Sequence, residues 1–351
     1  MFRFSALLLL CVLAVSGCGQ QEKLLNIYCN ETFWYAMQEE SLAFGKIYGF
    51  DIVLYPIRAG RMPEPDTHAV VIEAENRSRS TWIPSTWQSM PSETMPIEES
   101  TGRAAPSTQF NPDIEHQIMR IAETHIGELF LTDSPKHFEK VRNSALAASE
   151  SLVCYLTLTM LVPKENPHQF RSIKDVLAVN RTLGIMHPSF DGLGEASWQV
   201  LSRIIPGGES AIPLDLVQIY ERQYDLLEAL ELGEIDAALV WNATSQTSFL
   251  LLKYGEEYNY MYEIVIRDAE RRKDKERLKF ILQEMYQDLI EANTFAEEVS
   301  LVDNPGERHV VAIYLVSLSS ASNFGFSKRF TDFMRSNHGR SILHRYGFVT
   351  E

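Results

Sequence analysis

The sequence predicts an α/β protein built from two lobes. A strand, a helix and a second strand follow one another closely between residues 24 and 57, an order typical of parallel sheets. The same alternation returns between residues 160 and 258. The chain of 351 residues also exceeds the size at which a single hydrophobic core is usual. Together these observations favour two α/β lobes over one large domain.

The first strand–helix–strand unit has clear boundaries. Leu24–Cys29 is apolar and predicts a strand that stops at Asn30-Glu31-Thr32, a signature of a helix start. Apolar residues at helical spacing then predict a helix as far as Tyr48, and Gly49 supplies its end. The second strand is predicted at residues 50–57.

Residues 61–112 interrupt this pattern and are interpreted as an insertion in lobe one. The segment is rich in Pro, Ser, Thr and Glu, which predicts an excursion over the surface rather than part of the core. It holds one strand candidate, residues 69–72. Trp82 and Trp87 have two readings, local packing and ligand binding, of which packing is favoured.

The remaining elements continue the alternation. Strands are predicted at 127–132, 152–162, 183–186, 214–217, 235–241 and 310–318. Helices are predicted at 114–121, 172–177, 195–204, 223–232, 324–335 and 338–346, with one more starting at Asp133-Ser134-Pro135. A charged segment with an apolar stripe, 268–298, predicts a helical insertion. Lobe one then covers 24–159, lobe two covers 160–258, and 259–351 returns to lobe one.

The N-terminus reads as a bacterial lipoprotein signal. A weakly basic start at Arg3 and an apolar run are followed by Val15-Ser16-Gly17-Cys18, the pattern of a lipobox. Residues 1–17 are therefore predicted to be removed, and Cys18 to carry lipid, including palmitate, at the head of a tether spanning 18–23. The alternative is a plain signal peptide in which Cys18 is incidental. A lipid would hold the protein at a membrane surface facing the periplasm or exterior.

Charge and cysteine content narrow the possible functions. The net charge is −15, and removal of Arg3 leaves 31 Lys plus Arg against 47 Asp plus Glu, which disfavours nucleic-acid binding. Cys29 and Cys154 remain in the mature chain, each in an apolar run typical of a small buried hydrophobe. A disulfide between them stays open, while the spacing of Cys and His offers no metal site. No cofactor is expected, and the chain is expected to be a monomer.

Catalytic motifs are missing from the sequence. It contains no Gly-x-Ser-x-Gly elbow, no His-Glu-x-x-His pair and no Walker loop, so an enzyme is not expected. Instead, several predicted helices begin directly after strands, near Thr32, Gly194 and Gln223. Helix starts present unpaired N–H groups that bind oxyanions. Simple capping by Asn30 and Thr32 is the competing interpretation.

Several motifs resemble those of one known family. Residues 229–241 resemble "al-x-x-GeaDaGivY", and residues 330–348 resemble a closing "F-x-dfl…gq-x-il-x-x-yGF". Leu183–Pro188 followed by Gly194 resembles "aig-x-P…aG". On these motifs the chain resembles the molybdate-binding component of ABC importers, a type 2 periplasmic binding protein. The resemblance covers most of the chain outside 61–112 and 268–298.

The resemblance implies a fold and a function. Two α/β lobes, each a mainly parallel sheet flanked by helices, would close like a hinge on a ligand in the cleft between them. The chain would capture a small solute, with a tetrahedral oxyanion such as molybdate or tungstate as the best guess, and deliver it to an ABC permease. The alternative is a sensor or assembly lipoprotein with the same fold and a degraded pocket.

The resemblance also implies where the ligand binds. Its first contact falls at Glu31 or Thr32 beside Asn30, a second near Leu193 or Gly194, and others near Gln223 and at Trp241. Glu31 would repel a dianion unless it points away. In the insertion, only Ser107 and Thr108 could supply the family's second hydroxyl contact. Trp241 offers one N–H donor where the family has a tyrosine, and a core role for it stays open.

Overall fold

The computed structural model describes residues 24–57, 70–72, 128–143, 147–189, 191–247, 295–318 and 324–351. Cys18 and the predicted tether, Trp82, Trp87, Ser107, Thr108, the helix at 114–121 and residues 268–294 of the charged segment lie outside these ranges. Within them, no helix is long and apolar enough to cross a membrane.

The described strands form one mixed sheet. They are β1 Leu24–Asn30, β2 Asp51–Ile57, β3 Val70–Ile72, β4 Leu129–Leu131, β5 Ala147–Pro163, β6 Leu183–Met186, β7 Val217–Tyr220, β8 Ala237–Trp241, β9 Ala296–Ser300 and β10 Val310–Leu318. Their order is β3-β2-β1-β4-β10-β5-β8-β6-β7, and β9 pairs with β5 off this path. The pairs β1–β2, β1–β4, β6–β7 and β6–β8 are parallel, as strand–helix–strand units require.

The described helices flank this sheet. They are α1 Trp34–Tyr48, α2 Pro135–Asn143, α3 Ile173–Ala178, α4 Gly192–Ile204, α5 Gln223–Glu231, α6 Phe324–Met334 and α7 Asn337–Arg345. A short 3-10 helix, Glu31–Phe33, leads into α1, and a further helix starts at residue 242. Gly49 ends α1 in the left-handed conformation, with φ of 69°, as its position predicts.

The long strand β5 joins the two lobes. Residues 147–157 pair with β10 in the sheet that contains β1, β2 and β4, which we call lobe one. Residues 158–163 pair with β8 and β9 in the sheet that contains β6 and β7, which we call lobe two. The two ends of β5 thereby pair with different groups of strands in this sheet, so the strand forms a crossing point between the lobes.

Four predicted elements differ from the structure: β5 begins at Ala147 instead of residue 152, α4 begins at Gly192 instead of residue 195, and two others change in type or place. Residues 296–298, predicted as the end of a helical insertion, belong to β9, because the free edge of β5 offers a full ladder of partners. Local helix propensity is a weak preference that such pairing overrides. The strand predicted at 214–217 lies at Val217–Tyr220 instead, where it pairs with β6. The predicted domain boundaries themselves stay predictions.

The C-terminal segment packs against lobe one through aromatic side chains. Phe44 of α1 meets Phe330 and Phe333 of α6 at ring-centroid distances of 5.1 and 5.6 Å. Phe33 stacks on Phe348 at 5.1 Å. Edge-to-face and stacked rings of this kind add to the free energy gained by burial. They fix α1 and therefore the polar turn at its start.

Candidate functional site

The carboxyl group of Asp133 is the centre of a polar cluster between the lobes. Asp133 lies in the loop between β4 and α2 of lobe one, and only 1% of its surface is exposed. Two donors come from the same lobe: Asn30 donates through Nδ2 to Oδ1 at 2.5 Å, and Thr32 through Oγ1 to Oδ2 at 3.2 Å. The ends of the parallel strands β1 and β4 bring these side chains together.

Lobe two supplies the other donors. The backbone N–H of Gly192 at the start of α4 donates to Asp133 Oδ1 at 3.2 Å. The indole Nε1 of Trp241 at the end of β8 donates to Asp133 Oδ2 at 2.8 Å. Each carboxyl oxygen thus accepts one hydrogen bond from each lobe. We call the four donor groups of Asn30, Thr32, Gly192 and Trp241 the donor cradle.

Gln223 extends the cluster behind Thr32. Its Nε2 donates to Thr32 Oγ1 at 3.2 Å, and its Oε1 accepts from Thr244 Oγ1 at the same distance. Gln223, Thr32 and Thr244 are all buried. The chain of hydrogen bonds therefore crosses the junction a second time and orients the Thr32 hydroxyl toward Asp133.

The capping of α2 explains why the Asp133 side chain is available for these contacts. Ser134, the next residue, caps the helix by accepting from the backbone N–H of His137 at 3.3 Å. The Thr132 hydroxyl accepts in turn from the N–H of Ser134 at 3.1 Å. Asp133 is therefore not used as a cap, and its carboxyl group can face lobe two.

Gly192 and Gly194 permit the close approach of α4. A Cβ atom on Gly192 would lie 2.1 Å from the backbone oxygen of Asp133, and one on Gly194 would lie 2.2 Å from that of His187. Both contacts are with backbone atoms, which cannot move aside cheaply. Only glycine at position 192 allows the helix start to reach the carboxyl group.

The predicted site residues have different places in this geometry. Asn30, Thr32, Gln223 and Trp241 all join the cluster. Leu193 is fully buried, and its apolar side chain cannot donate a hydrogen bond to the carboxyl group. The N–H of Gly194 donates instead to the capping Asp191 at 2.7 Å. The N–H at the helix start that faces the cluster belongs to Gly192. The Glu31 side chain lies outside the described part of the chain.

Burial and hydrogen bonding act on Asp133 in opposite directions. Burial raises the pKa of the carboxyl group above its ordinary value, and the hydrogen bonds from Trp241, Gly192, Thr32 and Asn30 oppose that rise without cancelling it. The indole and backbone N–H groups can only donate, so the arrangement suits a carboxylate whose two oxygens both accept. Sequence reasoning interpreted Asp133 only as part of a helix start.

A second polar contact between the lobes lies next to the cradle. Lys136 of α2 is 3.5 Å from Glu195 of α4, whose carboxylate also accepts from Gln199 Nε2 at 3.0 Å. Burial raises the pKa of Glu195, and the charge of Lys136 opposes that rise. The buried acid of lobe two is thus balanced by a cation of lobe one.

A cavity of about 430 Å³ opens beside Asp133. Its walls come from α2, from β10 and from α4, represented by Phe138, Tyr314 and Gln199. Arg142 is the cation of the wall, and it contacts Glu139 at 3.1 Å and Glu150 at 3.3 Å. The positive charge is therefore already compensated. In the described part of the chain, no group of three or more His, Cys, Asp or Glu side chains could hold a metal ion.

Comparison with known proteins shows a family and a fold. The family described as bacterial extracellular solute-binding protein matches residues 112–349. No curated protein matches the chain by sequence.

Solved structures resemble most of the chain. The periplasmic molybdate-binding protein of Azotobacter vinelandii is 14% identical, with 93% of this chain and 99% of that chain covered and a TM-score of 0.54. The ferric binding protein of Campylobacter jejuni is 13% identical, with 93% of this chain and 86% of that chain covered and a TM-score of 0.54. L-phospholactate-bound PEB3, a Campylobacter jejuni protein, is 8% identical, with 93% of this chain and 100% of that chain covered and a TM-score of 0.53. At these identities the likeness shows the fold alone, and it confirms the predicted type 2 periplasmic-binding-protein fold.

Proposed function

We propose that this chain, which belongs to the bacterial extracellular solute-binding proteins, is the lipid-anchored solute-binding subunit of an ABC importer. The family is one of periplasmic solute-binding proteins of the ABC-transporter kind and not a family of enzymes. The lipid on Cys18 and the membrane permease as partner are parts of the proposal. Absence of an acyl chain on Cys18 in mass spectrometry would contradict the anchor.

The observation that carries the proposal is the junction between the lobes. Polar groups from both lobes meet there, and a cavity lies beside them with walls from both lobes. Its volume of about 430 Å³ lies within the range of small-molecule sites in proteins. A solute that contacts α2 on one side and α4 on the other would favour the closed arrangement of the lobes.

The charges of the cavity bear on the identity of the solute. The tetrahedral oxyanion predicted from the sequence remains a prediction, supported by uncharged donors of the right kind. Against a dianion stand Asp133 in the cradle and the pairing of Arg142 with Glu139 and Glu150. We therefore favour a small polar organic solute without a dianionic group, bound in the cavity rather than in the cradle.

A calorimetric titration tests this function. The panel contains molybdate, tungstate, sulfate and ferric iron, together with uncharged, zwitterionic and cationic organic solutes. Loss of one neutral hydrogen bond in Gln199→Ala should weaken binding of the true solute about fivefold, since such a bond contributes about 1 kcal/mol. The control is Gln218→Ala, whose side chain is exposed on β7, away from the cavity lining. If Gln199→Ala and Tyr314→Ala both bind the solute as tightly as the unaltered protein does, binding in this cavity is contradicted.

A second function is favoured by one observation. The cradle is filled by the chain's own carboxylate, which fits a sensor or assembly lipoprotein whose lobes stay together without solute. Co-purification from detergent-solubilised membranes distinguishes the two functions. A permease with its ATPase supports transport, whereas other envelope proteins in the absence of any permease support the second function.

A further inference from the structure

We propose that the Asp133 carboxylate is a built-in ligand that occupies the donor cradle, holds the two lobes together and excludes free oxyanions from it. The inference rests on the proposed function for its meaning in transport, while the contacts of the cradle stand on their own.

The donor cradle has the composition of an anion-binding site. Its four groups are an amide N–H, a hydroxyl, a backbone N–H at a helix start and an indole N–H, and all four are uncharged. Uncharged donors in a buried place bind an anion without a cationic side chain. The cradle gives two hydrogen bonds to each oxygen of Asp133, which matches the acceptor capacity of a carboxylate.

No space remains in the cradle for a second anion. Asn30, Thr32, Gln223 and Asp133 are each at most 7% exposed, and Trp241 is fully buried. A free oxyanion would have to displace Asp133 and then lie near a buried negative charge. Two like charges at such a distance in a buried place repel strongly.

The same contacts act as a latch between the lobes. Asp133 is carried by lobe one, and Gly192 and Trp241 are carried by lobe two. In a hinge-closing protein a ligand favours the closed state by contacting both lobes. Here the chain itself supplies those contacts, so the closed arrangement is expected without any solute.

Chemical rescue with size-matched anions tests the inference. Asp133→Ala removes the carboxylate and leaves room for formate, and Asp133→Gly leaves room for acetate. Thermal melting is measured for each variant in sodium formate, sodium acetate and sodium chloride at equal ionic strength. We expect each anion to raise the melting temperature of its matched variant in a saturable way, with at least tenfold tighter binding than to the unaltered protein.

Control variants separate rescue from general salt effects. Asp225→Ala and Asp225→Gly remove a carboxylate at the surface of α5, where formate and acetate should act like chloride. If the Asp133 variants do not fold in chloride, refolding is compared in formate and acetate. Recovered folding in the matched anion supports the inference.

Two results would overturn the built-in ligand. The first is no difference between the matched anion and chloride for both Asp133 variants, in melting or in refolding. The second is tight binding of molybdate by the unaltered protein that Trp241→Phe weakens. Failure of the solute titration would instead count against the proposed function and leave the rescue result unchanged.

Discussion

Two of the buried carboxyl groups of lobe one lie in contrasting surroundings. Asp133 accepts four hydrogen bonds, two of them from lobe two. Glu40, on α1 inside lobe one, is fully buried, and neither of its oxygens has a hydrogen-bond partner. Burial raises the pKa of both groups, to about 9 for Glu40. The comparison shows that burial alone does not decide the role of an acid, because the donors around it determine whether its charge is tolerated.

The largest loss of stability is expected when Asp133, the hydrogen-bonded acid, is replaced. Asp133→Asn replaces one acceptor oxygen by an NH₂ group. The two donors of the cradle that point to this oxygen then lose their acceptor. Each unsatisfied buried donor costs about 1–3 kcal/mol, and we expect a total loss of about 4 kcal/mol in the free energy of unfolding. Denaturant melts measure it. A loss below about 1 kcal/mol would remove the contrast with Glu40.

Replacing Glu40, the acid without hydrogen-bond partners, is expected to raise the stability of the protein, whereas replacing Asp133 lowers it. The Glu40 pKa is raised from 4.5 to about 9, so the folded state holds a proton that the unfolded chain releases. Stability is therefore fully present below pH 4.5 and is lost as the pH rises toward 9. At 1.36 kcal/mol per pKa unit, Glu40→Gln should stabilise the protein by on the order of 3 kcal/mol at pH 7.

Denaturant melts at several pH values check this sign. The gain from Glu40→Gln should be small near pH 4.5, grow with rising pH and level off above about 9. Glu39→Gln, which changes the partly exposed neighbouring acid that pairs with Arg345, is the control and should show no comparable growth. A gain that is the same at every pH would mean that the Glu40 carboxyl group does not titrate as the structure indicates.

How much of this arrangement could be predicted from the sequence depends on the kind of signal. Strands β6 and β10 have the predicted bounds, because continuous apolar runs between polar turns leave little choice. Four predicted site residues, Asn30, Thr32, Gln223 and Trp241, meet at one place because the polar residues that follow neighbouring strands share an edge of the sheet.

Asp133 itself was not predictable as the centre of the cluster. Asp133-Ser134-Pro135 fits a helix start, and local sequence does not tell which of two capping residues is used. Ser134 caps α2 and Asp133 does not, a choice fixed by contacts with Gly192 and Trp241, which lie far away in the sequence. Similarly, capping by Asp191 uses the N–H of Gly194, and this leaves Gly192 to face the carboxylate.

A smaller loss of stability is expected when the Trp241 indole donor of lobe two is removed. Trp241→Phe keeps the ring and removes the N–H that Asp133 accepts at 2.8 Å, which should cost about 2 kcal/mol because the acceptor is charged and buried. Trp198→Phe is the matched control, since its indole donates at 2.9 Å to Glu209 on the surface. Its cost should be about 0.5–1 kcal/mol. Equal losses in denaturant melts would mean that the junction adds nothing to the indole hydrogen bond.

The smallest effect is expected at the ion pair beside the cradle. Lys136 is 3.5 Å from Glu195 across the junction, with 51% of the lysine side chain exposed. Exposed pairs contribute about 0.2–1 kcal/mol, and Lys136→Ala should cost about 0.5 kcal/mol at low salt. Arg142→Ala, which breaks pairs within lobe one, is the control. Both losses should shrink at 1 M salt, where the screening length is about 3 Å. Of these two cations, Lys136 pairs across the junction beside the Asp133 latch, whereas Arg142 pairs within lobe one. We therefore expect Lys136→Ala, and not Arg142→Ala, to be non-additive with Trp241→Phe in a double-mutant cycle.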